Sequence, residues 1–555
     1  MNVQHQELLE QAVHACRTRE HFSPFPQRPG KDASSLESIE TARATYESYL
    51  GGRVELDQPA VGQLLCAETS PFTRDSLGVS YPVTDAQTAF ATARQVAPDW
   101  ARLEPQHRVD LCLEMVEQLY QRWYEIAHAN QHTTGQSFSM SCVGSGVNAL
   151  DRGIEAIAYA SEAMRRVPSS GRWQREFGRT EVALDKRYHL LPRGPAVVVT
   201  CASFPTWNAY PALFANLATG NPVIVKPHPT SVLTMALMVQ VAQQVLADAG
   251  LPAPIVQLAA DSPEKPITKE LIEHPDCRIV DFTGSPSFGA WIERNAHPAI
   301  AFTETAGVNT VVLDSVEDLR ATASAIATSL GLFSAQMCTS VQNIYLPEDG
   351  IRTPEGTVAA EEVVEALVEA VEASAGRPER AAGLMGAVQS SASVDLVGRM
   401  EQAVAERGRI ARTATPYVHP EYPEARTLTP SIGVVDPAAR ELFGEERFGP
   451  VSFVVRCGDR DDALAQAIED VAARGSIASH VYSTDDGYVD RAARAYLDAG
   501  SSVSLNLTGP MPLNFAAAYS DYHVTGLSPA GNACLTDEAF IAGRFRVAQV
   551  REPVK

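Results

Sequence analysis

Short apolar runs that alternate with helical segments constrain the fold of this chain more than any other feature. They occur first as PRGPAVVVTC, NPVIVKP, APIVQLAA and CRIVDFTGS, and again as NTVVLDS, VQNIYLP, VSFVVRC and IASHVYS. Parallel strands that are covered by helices on both faces have such continuous apolar runs. The sequence therefore predicts two doubly wound α/β domains, the first of a nucleotide-binding type.

The 555 residues are too many for one compact domain. We expect an N-terminal extension over 1–57, a nucleotide-binding domain over 58–305 and a second α/β domain over 306–479. We also expect residues 480–505 to return to the first domain, and residues 506–555 to form a C-terminal tail.

Composition excludes several function classes. A formal net charge of −22 does not favour a nucleic-acid surface. The nine cysteines include no CxxC pair and no spaced ligand set, so neither a disulfide framework nor a metal site is expected. The first thirty residues lack the apolar core of a signal peptide, and no apolar run is long enough to cross a bilayer. We expect a soluble cytoplasmic protein that does not bind membranes.

Two features fit a dinucleotide. In FTGSPSFG (residues 282–289) a strand ends and a helix begins, so N–H groups near Gly284, Ser285 and Gly289 can approach a pyrophosphate. Lys226 directly follows the strand of VIVKPHP, where its ammonium group can reach ribose or phosphate. Each feature alone is equally compatible with a tight capped turn or a surface lysine.

Two further residues have side chains that can act as a base or a nucleophile. Glu304 follows a strand in FTETAG, and Cys338 lies in a loop within GLFSAQMCTS. Taken singly, a cysteine is usually a small buried hydrophobe and a glutamate a solvated side chain.

The order of these motifs, with ERFGPV at 446–451, resembles the aldehyde dehydrogenase superfamily from about Ser80 to the C-terminus. The resemblance implies that fold, with a small β oligomerisation arm. It makes Cys338 the nucleophile, Glu304 the base that activates water and Glu446 the residue that holds the nicotinamide ribose. It also assigns further cofactor contacts to Lys226, His228, Gly284, Ser285, Gly289 and Phe448. The stand-alone aldehyde dehydrogenases of phenylacetic acid degradation are the most similar type.

The implied chemistry suits these residue types. A thiolate attacks the aldehyde, hydride leaves to the nicotinamide, and a carboxylate base delivers water to the resulting thioester. We therefore expect Cys338 to be partly ionised near neutral pH, favoured by backbone N–H groups and the cationic nicotinamide.

Two positions depart from the family pattern. Ser203 stands where the family has an asparagine that donates to the oxyanion, before Phe204 and Pro205. We expect Ser203 to take that position and Asn208 to be a helix residue packed near the turn, because five helical positions separate the two by about 140° and about 7.5 Å.

The second departure is Pro229, where many NAD-using relatives have a glutamate that binds the adenosine ribose. Without that carboxylate, Lys226 and His228 can attract a 2′-phosphate. We expect NADP as cofactor, with NAD also possible.

The resemblance implies a CoA-linked semialdehyde from phenylacetate ring opening as substrate, supplied by a separate ring-opening hydrolase. Two alternatives stay open: a CoA-acylating aldehyde dehydrogenase, against which Glu304 counts, and a non-catalytic scaffold of the same fold. A dimer or tetramer is expected through an arm formed by strands near 180–193 and in AFIAGRFRVAQVR, whose apolar residues alternate.

Overall fold

The computed structural model describes residues 1–305 and 307–554. Its α-helices are α1 (Val3–Thr18), α2 (Ala33–Tyr49), α3 (Ala86–Ala101), α4 (Pro105–Gln121), α5 (Trp123–Thr134), α6 (Phe138–Cys142), α7 (Asn148–Arg165), α8 (Pro205–Ala218), α9 (Leu233–Asp248), α10 (Thr268–Glu273), α11 (Pro286–Asn295), α12 (Leu319–Gly331), α13 (Ala360–Ala375), α14 (Pro378–Met385), α15 (Ser391–Arg407), α16 (Arg440–Phe443), α17 (Arg460–Arg474), α18 (Asp486–Asp498) and α19 (Glu538–Ala542). Within the described ranges, none of the helices has both the length and the apolar character needed to span a membrane.

The strands are β1 (Gly62–Leu65), β2 (Ser80–Val83), β3 (Ser170–Phe177), β4 (Thr180–Pro192), β5 (Ala196–Val199), β6 (Val223–Lys226), β7 (Val256–Leu258), β8 (Ile279–Gly284), β9 (Ile300–Thr305), β10 (Thr310–Leu313), β11 (Asn343–Pro347), β12 (Ile351–Thr353), β13 (Gly356–Val358), β14 (Gly408–Arg412), β15 (Ser431–Val435), β16 (Val451–Cys457), β17 (Ser479–Tyr482), β18 (Ser504–Leu505) and β19 (Phe545–Pro553). Short 3₁₀ turns cover Ala253–Ile255, Leu332–Ala335 and Pro437–Ala439, and a π-helical turn covers Val143–Val147.

The first sheet has the order β7-β6-β5-β8-β9, and all its strands are parallel. Successive side chains of β5 point to opposite faces. Ala196 and Val198 join the core formed with α8 and α9, whereas Val197 and Val199 join the core formed with α3 and α10. Helices therefore cover both faces, as the continuous apolar runs predict.

The second sheet has the order β14-β15-β16-β11-β10-β17-β18, in which β14 is antiparallel and the other strands are parallel. The expected return of residues 480–505 to the first domain is wrong. Strand β17 pairs with β10, and β18 extends the same edge. The apolar run IASHVYS predicts a strand, but a run of this kind does not specify which sheet edge the strand joins.

The arm is a three-stranded antiparallel sheet in which β4 lies between β3 and β19. The two strands expected from the sequence therefore pair with each other within one chain. Strand β3 is an addition that the sequence analysis did not predict. Pairing of this arm with another subunit stays a prediction.

The N-terminal extension is folded onto the first domain. Helix α1 packs on α7 and α4, and α2 packs on α5. Leu9, Ala12 and Val13 of α1 are buried in the main core, and the Tyr46 ring of α2 stacks on His132 with centroids 5.0 Å apart. The segment between α1 and α2 is thereby held against the body of the protein.

Candidate active site

A cleft of about 490 Å³ lies at the carboxyl ends of the first sheet's strands. Residues after β5, β6, β8 and β9 line one side, and Cys338, Glu446 and Phe448 line the other. Open parallel sheets bind ligands at this edge, because the loops that follow the strands converge there. The cleft therefore brings together all but one of the residues that the sequence analysis assigned to the reaction and the cofactor.

Lys226 lies in this cleft as expected, but it is already paired. Its Nζ is 2.8 Å from Asp261 Oδ1 and donates to the Pro227 carbonyl oxygen at 2.6 Å. The lysine is 2% exposed, and its burial lowers the pKa of the ammonium group while Asp261 opposes that shift. The Lys226–Asp261 pair has no net charge with which to attract a 2′-phosphate. The sequence pattern did not reveal Asp261 as the partner of Lys226.

His228 and Pro229 also line the cleft. The His228 ring shares a hydrogen bond of 2.8 Å with the Thr230 hydroxyl. Desolvation by the cleft walls and the nearby Lys226 charge lower the pKa of His228. The lowered pKa disfavours the imidazolium form, so His228 offers a 2′-phosphate less positive charge than expected.

The residues of the glycine motif have two different roles. Gly284 ends β8, and Ser285 immediately precedes α11; both line the cleft, where N–H groups at the helix start can meet a phosphate. Gly289 is not part of the cleft wall. A Cβ atom there would lie 2.5 Å from Thr305 Cγ2, so the glycine allows α11 to pack closely on β9. The prediction of Gly289 as a cofactor contact is wrong, since the residue acts in helix packing.

Glu446 and Phe448 enter the cleft from the second domain, on a loop that Gln342 holds. The Gln342 amide accepts from Arg447 N at 2.6 Å and donates to the carbonyl oxygens of Phe443 and Glu445. Burial raises the pKa of Glu446 to about 8. A carboxylate in this place accepts hydrogen bonds from ribose hydroxyls best above that pH.

A left-handed turn precedes the Cys338 loop. Phe333, Ser334 and Ala335 have φ angles of 50°, 50° and 51°, a conformation that costs non-glycine residues about 1–2 kcal/mol each. Asn309 fixes the loop beyond it, since its Nδ2 donates to the carbonyl oxygens of Cys338 and Ser340, both at 2.8 Å. The backbone around the thiol is thus set by contacts remote in sequence.

The thiol of Cys338 is protonated at neutral pH in the protein without cofactor. Burial and the neighbouring Glu304 charge raise its pKa well above the ordinary value of 9.0. The expected partial ionisation near pH 7 is therefore not a property of the protein alone. The backbone N–H contribution that the sequence analysis invoked is smaller than these two effects.

Glu304 is fully buried and lies at the end of β9. Its Oε1 accepts from Asn208 Nδ2 at 3.0 Å and lies 3.1 Å from His523 Nε2, which is itself 3.6 Å from Cys338 Sγ. The other carboxylate oxygen, Oε2, has no hydrogen-bond partner within the described part of the chain. Asn208 and His523 thus fix the carboxylate beside the thiol and leave one oxygen free.

Asn208 is a buried helix residue near the turn, as expected, and it is in addition a site residue, because its side chain contacts Glu304. The rotation argument assumed a helix from Ser203 onward, whereas α8 begins at Pro205 and Phe204 has φ −133° and ψ 60°. Ser203 lines the cleft at the carboxyl ends of the first sheet, and its carbonyl oxygen accepts a hydrogen bond from Gln136 Nε2 at 2.8 Å. An oxyanion role for the Ser203 hydroxyl stays a prediction.

A second cleft, of about 850 Å³, reaches Cys338 and Asn208 from the opposite side. Its walls come from the π-helical turn at Val143–Val147, from residues 510–516 and from residues 27–31 of the N-terminal extension. Nothing in the composition of 27–31 indicated this location. Cys338 and Asn208 therefore line both clefts, whereas Glu304 lines the first cleft alone.

The first cleft, at the carboxyl ends of the first sheet, fits a nicotinamide dinucleotide. It combines the Gly284–Ser285 turn at a helix start with the Glu446 carboxylate and the Thr200 hydroxyl. The Thr200 oxygen is buried and has no hydrogen-bond partner in residues 1–305 and 307–554. These groups can bind the phosphates and hydroxyls of such a molecule.

Comparison with known proteins agrees with this arrangement. The family model described as aldehyde dehydrogenase family matches residues 67–512. The crystal structure of an NAD-dependent aldehyde dehydrogenase from Burkholderia multivorans is 41% identical with a TM-score of 0.96, covering 99% of this chain and 98% of that chain. The structure of 1-pyrroline-5-carboxylate dehydrogenase from Thermus with bound NAD shares the fold, with 19% identity and a TM-score of 0.73 over 96% of this chain and 99% of that chain.

Among curated proteins, 1-pyrroline-5-carboxylate dehydrogenase of Bacillus subtilis (strain 168) is 24% identical over 463 residues, which is 80% of this chain and 83% of that protein. The two reactive residues at the wall of the first cleft, the matched family model and the similarity over nearly the full length of a solved relative all agree. The chain belongs to the aldehyde dehydrogenase family and is an NAD(P)-dependent oxidoreductase.

Proposed function

We propose that the protein oxidises an aldehyde to a free carboxylic acid through a thioester on Cys338. The observation that carries this proposal is that Cys338, which lines both clefts, lies beside Glu304 at the wall of the first. A nicotinamide cofactor in the first cleft supplies a hydride acceptor. The second cleft admits the aldehyde.

The chain's own groups have distinct parts in this reaction. After losing its proton, the Cys338 sulfur forms a bond to the aldehyde carbon to give a thiohemiacetal; loss of hydride from that carbon leaves the thioester. Glu304 then accepts a proton from water through its free Oε2 as the water oxygen bonds to the acyl carbon. The carbon–sulfur bond breaks, and Cys338 leaves as thiolate.

We propose as substrate the CoA-linked semialdehyde that phenylacetate ring opening produces, supplied by a separate hydrolase. The large second cleft and the two exposed cations at its entrance, Arg28 and Lys31, support this substrate. Neither cation has a carboxylate within ion-pair distance among the described residues. The Bacillus subtilis relative is named for 1-pyrroline-5-carboxylate, a small molecule that would leave much of the cleft unfilled.

A substrate panel tests this assignment. It compares kcat/KM for three aldehydes: the CoA-linked semialdehyde, glutamate semialdehyde, which is the open-chain form of 1-pyrroline-5-carboxylate, and hexanal. We expect the CoA thioester to be used best, and a double variant Arg28→Ala/Lys31→Ala to raise its KM without changing that of hexanal. Arg175→Ala, which removes an exposed cation on the arm, is the matched control. Equal use of all three aldehydes would remove the support for a CoA-linked substrate.

For the cofactor, the sequence predicts NADP because Pro229 replaces the discriminating carboxylate. The Lys226–Asp261 pair and the lowered pKa of His228 weaken that argument, since both reduce the positive charge in the cleft. We therefore propose that both NAD and NADP are used. Steady-state kinetics with each cofactor at matched ionic strength tests this, and use of one cofactor alone would contradict it.

Two alternatives from the sequence analysis have distinct outcomes. A CoA-acylating enzyme would need free CoA for turnover, whereas a hydrolytic one turns over without it. A non-catalytic scaffold would show no burst of reduced cofactor with any aldehyde. We further propose a cytoplasmic homodimer or homotetramer assembled through the arm, which light scattering of the intact chain tests.

A further inference from the structure

Cys338, His523 and Glu304 come from three separate segments and meet with metal-ligand geometry. One ligand atom from each lies within 4.8 Å of the others. The Nε2–Sγ distance is 3.6 Å and the Nε2–Oε1 distance is 3.1 Å. A tetrahedral Zn²⁺ ion with its usual bond lengths would set these edges at about 3.6 and 3.4 Å. Two of the three edges are therefore close to those of a tetrahedral site, and the third, between the cysteine sulfur and the carboxylate, is within 4.8 Å.

The surroundings also suit an ion. Glu304 is fully buried and the His523 side chain is 2% exposed. Bulk water therefore does not compete with these two ligands for a bound ion. Glu304 Oε2 is buried and has no hydrogen-bond partner among the described residues, so the carboxylate keeps a second oxygen with which it can bind an ion. Cys338 lines both clefts, which gives an ion a path to the cluster. Trp207 packs against the His523 ring with centroids 4.5 Å apart and fixes its orientation.

We propose that Cys338, His523 and Glu304 bind one Zn²⁺ ion, which reversibly inactivates the nucleophile in the resting protein. Binding forms a zinc–sulfur bond and releases the thiol proton to solvent. Three protein ligands leave the fourth tetrahedral position for water. Because the ion holds both the nucleophile and the base, the zinc-bound protein cannot form or hydrolyse the thioester. A chelator restores the thiol.

This site was not expected from the sequence, since its ligands at 304, 338 and 523 form no local spacing pattern. Zinc sites recognised from sequence have two ligands a few residues apart. Here the fold supplies the proximity, and His523 lies on the C-terminal segment that returns to the end of β9.

Direct metal binding tests the proposal independently of any aldehyde. Equilibrium dialysis of the chelator-treated full chain against Zn²⁺ should give one site that His523→Gln weakens at least tenfold. His5→Gln is the matched control, because His5, Glu114 and Glu117 form the other cluster of potential ligands in the described part of the chain. Unchanged zinc affinity of H523Q would overturn the proposal.

Cobalt provides a second readout that does not depend on the stability of H523Q. Co²⁺ bound to the wild-type protein should show a thiolate-to-metal charge-transfer band that Cys338→Ser abolishes and Cys201→Ser preserves. Zn²⁺ should also block alkylation of Cys338. If the band persists in C338S or is lost in C201S, the site does not include Cys338 and the proposal fails. If zinc binds as proposed but the chelator-treated, zinc-free protein oxidises no aldehyde, the proposed function fails while the metal site stands.

Discussion

The Asn208 amide donates a hydrogen bond of 3.0 Å to the Glu304 carboxylate across 96 residues of sequence. The bond joins the first turns of α8 to the end of β9, and it occupies the Oε1 oxygen of the carboxylate. Glu304 Oε2 is left as the oxygen that can accept a proton from water. An asparagine outside the family's usual position therefore contributes to the site by orienting the base.

Asn208→Ala should slow thioester hydrolysis more than hydride transfer. Loss of a hydrogen bond to a charged group costs about 1.5–3 kcal/mol, which corresponds to roughly a tenfold to hundredfold slower step. Rapid-mixing measurements should show a full burst of reduced cofactor followed by a slow steady state. In a Glu304→Gln background the same substitution should have little further effect. An equal effect in both backgrounds would place Asn208 elsewhere in the mechanism.

Glu304→Gln should retain hydride transfer and lose most of the hydrolysis, because the amide cannot accept the proton from water. One equivalent of reduced cofactor per active site should appear before turnover slows. Cys338→Ala is the control and should give neither burst nor turnover while still binding cofactor. A uniformly slow reaction of E304Q without a burst would mean that Glu304 acts before hydride transfer.

Alkylation of Cys338 by iodoacetamide should be slow at pH 7 in the cofactor-free protein and rise as the pH is raised through 9 and above. The sign follows from the raised pKa of this thiol, since the reactive thiolate is disfavoured below that pKa. Added cofactor should increase the rate at pH 7, because a cationic nicotinamide favours the thiolate. Mass spectrometry of the labelled peptide, with Cys338→Ser as control, measures this. A fast rate at pH 7 without cofactor would show that the thiol is already ionised.

Asp261→Asn should shift cofactor preference toward NADP. The substitution removes the carboxylate that neutralises Lys226 and supports its charge, so a bound 2′-phosphate becomes the group that keeps the lysine protonated, and such a charge-assisted contact is worth about 1.5–3 kcal/mol. We expect the ratio of kcat/KM for NADP to that for NAD to rise at least tenfold. Asp99→Asn, an exposed position outside the cleft, should leave the ratio unchanged. No change in D261N would show that the lysine does not meet the phosphate.

The sequence predicts both doubly wound sheets, because strands buried on two faces must be apolar throughout. It also indicates Cys338, Glu304 and Glu446, because the order of their motifs resembles that of the aldehyde dehydrogenase superfamily, whereas each residue taken singly would not stand out. It does not predict the sheet edge that β17 joins, which depends on free backbone groups far away in sequence. Asp261 and His523 were missed for a related reason: a single charged or imidazole side chain has no signal until the fold gives it a partner.

The location of residues 27–31 has a consequence for how the protein acquires specificity. These residues belong to neither α/β sheet, yet they form part of the wall of the second cleft, which is the proposed path of the aldehyde to Cys338. Changes in this short connector can reshape the entrance without disturbing the packing of either domain or the geometry of the thiol. If the second cleft admits the aldehyde as proposed, substrate choice and reaction chemistry depend on separate parts of the chain, and exchanging the connector between homologous enzymes would change the first while preserving the second.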